Sequence, residues 1–156
     1  MDEVAGRSGI HDVPDRQFTS ALEAIRPGDA LDLAAGRGRH AQWLKDQNWN
    51  VTAVDQLPDA IDGVRYIQAD LEKHEYHVEP DSWDLIVCWL YWQPDLLPEI
   101  STGLRKDGVV ALAGKTAGRF ATSLQSYRKA FAGWEEIASG ENESRAFFIA
   151  RKKHVD

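Results

Sequence analysis

The sequence is sparing with cysteine, with net positive charge and with long apolar runs, and each shortage excludes something. Cys88 is the single cysteine, which rules out an internal disulfide framework and suits a reducing, cytoplasmic compartment. Lysine and arginine number 18 against 25 aspartates and glutamates, a net charge of −7. A large duplex nucleic-acid footprint needs a basic face, so that partner is not expected. No apolar run approaches the roughly 18 residues of a membrane span, and Met1–His11 lacks the apolar stretch of a signal peptide. His74 and His77 have ligand-like spacing beside Glu72, Glu75 and Glu79. No further His or Cys completes a set, so a solvated loop and no metal is the expectation. There is no internal repeat, no low-complexity segment and no sign of a second domain.

What is present is an ordinary globular composition, 43% hydrophobic and 28% charged over 156 residues, enough for one core. Residues 1–14 read as a loose arm and 15–156 as a single domain. Phe18, Leu22 and Ile25 have helical spacing within 15–26, closed by Pro27-Gly28. Strands are expected at Leu31–Ala35, Asn50–Asp55, Val64–Ala69, Trp83–Trp89 and Val109–Ala113. Helices are expected at 39–48, 95–105 and 120–132, the last with Phe120, Leu124, Tyr127 and Phe131 on one face. Residues 56–63 have room for one helical turn at most. Trp134–Ala138 and Arg145–Arg151, joined by the turn residues Ser139 to Glu143, form a closing hairpin. Strands alternating with helices predict an α/β fold with a mostly parallel sheet, helices on both faces and an antiparallel C-terminal hairpin.

The chemistry is concentrated where the first strand breaks into Gly36-Arg37-Gly38-Arg39-His40. A strand, a glycine turn and a helix form a cradle for a phosphate or nucleotide: the glycines accept strained dihedrals, and the helix turns free N–H groups toward the ligand. Ligands of open parallel sheets lie beyond the carboxyl ends of the strands. There the second strand delivers Asp55, placed to accept from a ribose diol, and the third delivers Asp70, able to accept from an exocyclic amino group. The fourth delivers Trp89, followed by Tyr91 and Trp92. These aromatics suit either the core or a pocket wall whose ring faces favour a cation. The glycine pattern also fits dinucleotide binding, but Asp32 inside the first strand would repel a pyrophosphate and suits a cationic ligand group. A surface or structural role stays open for Asp32, Asp55 and Asp70, and His40 suits packing as well as the ligand side.

Leu31-Asp32-Leu33-Ala34-Ala35-Gly36-Arg37-Gly38 resembles the first motif of the class I S-adenosylmethionine-dependent methyltransferases, usually D/E-x-G-x-G-x-G, with Ala34 in place of the first glycine. Val54-Asp55, Gln68-Ala69-Asp70-Leu71 and Trp83-Asp84-Leu85-Ile86-Val87 match its later motifs. Leu104-Arg105-Lys106-Asp107-Gly108 is similar to its L-(K/R)-P-G-G turn, departing at Lys106-Asp107. The glycine segment is similar to the tellurite-resistance and thiopurine branches, which act on small molecules. The resemblance implies a Rossmann-like seven-stranded sheet whose last strand lies antiparallel between the fifth and sixth. It implies S-adenosylmethionine as cofactor, held by Asp32, Ala34, Gly36, Gly38, Asp55, Gln56, Asp70, Leu71 and Trp89. Methyl transfer would then go to a small-molecule acceptor by in-line displacement, with no catalytic residue identified.

After the fourth strand, Trp89-Leu90-Tyr91-Trp92-Gln93-Pro94 does not match the Asn/Asp-Pro-Pro-Tyr of nucleic-acid and glutamine N-methyltransferases. The segment after the fifth strand is too short for a substrate lid. Material for an acceptor pocket is therefore sought in Arg16, His40, Tyr91 and Trp92, with His11, Asp12 and Phe18 of the arm and first helix nearby. The alternative is a non-catalytic S-adenosylmethionine-binding module serving a partner protein, which an exposed apolar patch at Trp89–Trp92 would favour. The oligomeric state is left open.

Overall fold

A computed structural model describes residues 13–153. The elements run α1 (Arg16–Leu22), β1 (Asp29–Leu33), α2 (Arg39–Asp46), β2 (Asn50–Asp55), β3 (Arg65–Gln68), β4 (Trp83–Trp89), α3 (Leu96–Gly103), β5 (Leu104–Lys115), α4 (Leu124–Ala130), β6 (Glu135–Glu141) and β7 (Arg145–Arg151). His11 and Asp12 lie outside the described residues.

One sheet holds all seven strands in the order β3-β2-β1-β4-β5-β7-β6. The first five pair in parallel, while β7 runs antiparallel to both β5 and β6. This is the expected topology, including the insertion of the last strand between the fifth and sixth. Strand order reverses at β1 and β4, so the crevice beyond their carboxyl ends is the place for a ligand.

Side-chain alternation along the strands sorts the core into two layers. Leu31, Leu33, Ile86, Cys88, Val110 and Leu112 face α3 and α4, meeting Leu96, Ile100, Tyr127 and Phe131. Ala30, Ala53, Leu85, Val87, Ala111 and Ile149 face α1 and α2, meeting Phe18, Leu22, Ala41 and Leu44. Phe18 and Leu22 are essentially inaccessible; burying each stabilises by about 1.5–3 kcal/mol, which anchors an otherwise short helix. At the amino ends of the strands Arg105 bridges Asp29 and Asp84, 2.9 Å from each. That network joins β1, β4 and β5 on the side away from the crevice.

Several boundaries differ from expectation. The first helix stops at Leu22, well short of residue 26. The helix expected over 95–105 ends at Gly103 because Leu104 turns extended and begins β5 there. Phe120 is not part of the last helix: Ser123 caps α4 by accepting from the Ser126 N–H, and Phe120 is left 60% exposed before it. β6 continues through Ser139 to Glu141, which moves the hairpin turn to Asn142–Ser144. Between β2 and β3 there is no helix.

Candidate functional site

β1 ends in a loop with unusual backbone. Ala34, Gly36 and Gly38 all have positive φ, 56°, 60° and 90°. The Ala35 N–H donates to the Val54 carbonyl and the Gly38 N–H to the Ala35 carbonyl, which fixes the turn. Gly38 is needed twice over, because a Cβ there would lie 2.8 Å from Ile61 as well as adopting a left-handed conformation. Ile61, from the short β2–β3 connection, thus closes directly on the turn. Gly38 then starts α2 with no side-chain cap, so the first-turn amides of that helix remain available to a ligand.

Asp55 is built into this loop. Its Oδ1 accepts from the Gly36 N–H at 2.9 Å and its Oδ2 from the Leu57 N–H at 3.0 Å. Each carboxylate oxygen keeps a second lone pair for an outside donor. Asp55 therefore shapes the glycine turn and remains able to hold a hydroxyl. Beside it, Asp70 accepts from the Glu72 N–H at 3.0 Å, and the Asp70 N–H donates to Glu75.

Ala34, Asp55, Gln56, Asp70, Leu71 and Tyr91 line one cleft, with Ala69, Glu72 and Leu90 completing its wall. Leu90 has φ 62° and is 38% exposed directly after β4, a strained residue at the mouth of a binding crevice. Tyr91 donates to Gln93 at 2.6 Å, and Gln93 donates to the Leu71 carbonyl at 3.1 Å. These bonds tie the post-β4 segment to the far wall of the cleft. Burial pushes the Tyr91 hydroxyl up to about 12, so it stays protonated.

Asp32 sits deeper, 3% exposed in β1 between Ala53 of β2 and Val87 of β4. Its Oδ2 has no hydrogen-bond partner. Burial, with the Asp55 carboxylate adding and Arg39 opposing, raises Asp32 from the ordinary carboxylate range to about 8. An orphaned buried carboxyl oxygen calls for an explanation, and a cationic ligand group supplies one.

The remaining candidates lie elsewhere. Trp89 is 6% exposed; its ring packs against Phe18, His40 and Phe147 at 5.4–6.2 Å and not on the cleft. His40 is 5% exposed, and its Nε2 accepts from the Asp15 N–H at 3.1 Å. Burial and the Arg39 charge hold it down to about 3, leaving a neutral ring with no free lone pair. Arg16 borders a separate groove with Ala21, Ile137 and Phe147, and Trp92 stands edge-on to Tyr127 at 5.5 Å. Among the described residues no group of three or more His, Cys, Asp or Glu could hold a metal, and no helix is long and apolar enough to cross a membrane. Asp15 and Ile61 carried no expectation in the sequence, and Glu72 and Leu90, named there only for the histidine pair and the post-strand segment, were not expected to line the cleft. Asp15 precedes a helix and so reads as a cap, and its distant contacts carry no local signal.

A seven-stranded Rossmann-like sheet with this loop and these carboxylates defines the class I methyltransferase architecture. The family pattern described as methyltransferase domain matches residues 10–138, and the chain belongs to that family. No curated protein matches the chain. Among solved structures, TehB from Haemophilus influenzae superposes with a TM-score of 0.80 at 16% identity over 94% of this chain. This chain spans only 65% of that protein's length. A TehB-like SAM-dependent methyltransferase from Corynebacterium glutamicum has a TM-score of 0.70 at 17% identity, covering 97% of this chain and 95% of its own. The Burkholderia thailandensis 1,6-didemethyltoxoflavin-N1-methyltransferase, solved with S-adenosylhomocysteine, has a TM-score of 0.66 at 21% identity, covering 96% and 83%. At these identities the likeness establishes the fold.

Proposed function

We propose that the protein transfers the methyl group of S-adenosylmethionine to a small-molecule acceptor. The observation that carries this reading is Asp32: a buried carboxyl with an unpartnered oxygen next to the glycine turn. Such a group fits the ammonium of the cofactor's methionine part and does not fit a pyrophosphate. Asp55 and Gln56 would hold the ribose side, and Asp70 and Leu71 the adenine side. The backbone at Gly36, with nothing within 4 Å of where a Cβ would lie, leaves room for close approach. When bound, S-adenosylmethionine supplies a methyl group activated by a sulfonium and open to in-line attack. The protein's share is then to align and exclude water, and orientation alone can lower such a barrier by about 7–11 kcal/mol. No general base is assigned. His40 does not serve as one, because its Nε2 is already occupied by the Asp15 N–H.

A small acceptor is favoured by the short segment after β5, which adds no lid element between Lys115 and α4. The toxoflavin enzyme named above and a Haemonchus contortus phosphoethanolamine N-methyltransferase, which share the fold, act on small molecules. The partner-module reading draws little support from the Trp89–Trp92 run: Trp89 is buried, Tyr91 and Trp92 are half-buried, and Leu90 is its single exposed residue. Incubation with methyl-labelled S-adenosylmethionine and a panel of small amines, thiols, phenols and oxyanions tests the proposal. Label in a small product with matching S-adenosylhomocysteine supports it. Tight cofactor binding with no turnover on any class points to the non-catalytic alternative.

A further inference from the structure

Asp15 joins parts of the chain that are far apart in sequence. Its Oδ2 accepts from the Trp89 indole N–H at 3.2 Å, 74 residues away at the end of β4. The same oxygen pairs with the guanidinium of Arg145 at the start of β7. Its backbone N–H donates to Nε2 of His40 in the first turn of α2. The side chain is only 8% exposed. Its one local task, capping α1 through the Gln17 N–H, uses a long 3.4 Å contact. A cap needs none of the other three partners.

The neighbourhood explains the carboxylate. Arg145 stands directly opposite Lys115 across the β5–β7 pair, and like charges facing each other across a ladder repel. Asp15 offsets that repulsion at the carboxyl edge of the sheet. Burial is the largest influence against protonation of His40; the charged groups facing it are Arg39 and Arg145, which add to that effect, and Asp15, which opposes it. The ring is therefore a fixed neutral acceptor for as long as the chain at Asp15 lies against it.

We propose that Asp15 is a positioning residue for methyl transfer: it fastens the start of α1 across the carboxyl edge, holding the glycine-loop helix, the end of β4 and the start of β7 in one arrangement. The proposal rests on the cofactor reading above, since His40 belongs to the helix turn whose amides face the cofactor site.

The test uses the full chain as wild type, Asp15→Asn and Trp89→Phe, with nitrogen NMR of the histidine rings from pH 5 to 8. His40 is assigned with a His40→Gln sample, and calorimetric titration with S-adenosylhomocysteine accompanies each variant. Asparagine caps a helix about as well as aspartate, so Asp15→Asn keeps the cap and removes the charge. In the wild type His40 stays neutral throughout, with Nε2 as acceptor. In Asp15→Asn the lost carboxylate would by itself lower the His40 pKa further, so titration toward the ordinary value of about 6.5 reports that the start of α1 has lifted from the ring. That rise is the expected result, together with a dissociation constant for S-adenosylhomocysteine about tenfold higher. Trp89→Phe, which removes one donor and keeps an aromatic ring, shows the same changes to a smaller degree and carries the test if Asp15→Asn does not fold. A His40 that remains neutral in both variants, with affinity within twofold of wild type, overturns the proposal. If the wild type itself does not bind S-adenosylhomocysteine, the cofactor reading falls instead, and the His40 titration still decides whether Asp15 is the fastening.

Discussion

Loading the cofactor site should drive a proton off Asp32. Without a ligand its folded-state pKa is about 8, so at pH 7 roughly nine molecules in ten carry the proton. A cationic amine brought to the unpartnered Oδ2 favours the ionised form. If that lowers the pKa to about 6 or below, binding at pH 7 releases ~0.8 of a proton. Affinity then rises by up to about tenfold per pH unit between 6 and 8 and levels off above. Calorimetry with S-adenosylhomocysteine in two buffers of different ionisation enthalpy reads the release directly. Subtracting the same measurement on Asp32→Asn removes the ligand's own titration. Stability follows the same linkage. The folded-state pKa lies above the unfolded value of 3.8, so this group's contribution is full below about pH 3.8 and is lost as pH rises through about 8. The unliganded wild type therefore loses stability relative to Asp32→Asn between pH 5 and pH 9. A binding heat independent of buffer, or the same proton release from Asp32→Asn, would refute the reasoning.

Other substitutions probe the loop. Ala34→Gly relieves a left-handed alanine and should stabilise by about 1 kcal/mol, a rise of about 2–4 °C in thermal midpoint. A fall in Tm would mean that the turn is not strained. Gly38→Ala should destabilise by about 2–3 kcal/mol, since it adds strain at φ 90° and drives a methyl into Ile61; denaturant unfolding measures it. Asp55→Ala should weaken S-adenosylhomocysteine binding by about 1–3 kcal/mol and also lower stability, because the Gly36 and Leu57 amides lose their acceptor. Unchanged affinity would remove Asp55 from the cofactor site.

The strand sequence of the sheet was legible because Trp83–Trp89 and Asn50–Asp55 are apolar runs ending in turn signals, and both strands have the predicted bounds. Helix ends were less so. Phe120 continues the apolar spacing of Leu124 and Tyr127, but Ser123 wins the cap and leaves Phe120 outside. Asp55 and Asp70 were readable from their places at strand ends, which topology brings to one edge, while Gln56 and Leu71 followed only from the family resemblance. Trp89 shares that edge yet points away, because alternation along β4 sends it to the α1 layer with Leu85 and Val87. Asp15 was unreadable for a different reason: its partners Trp89 and Arg145 lie 74 and 130 residues away, and no local pattern encodes a contact of that range.

The most direct measurement is parallel calorimetric titration of the purified protein with S-adenosylmethionine, S-adenosylhomocysteine and NADH. The first two are expected to bind in the micromolar range at one site, and NADH is expected not to bind. Binding of NADH, or of none of the three, would contradict the reading of Asp32 and the glycine turn as a site for S-adenosylmethionine.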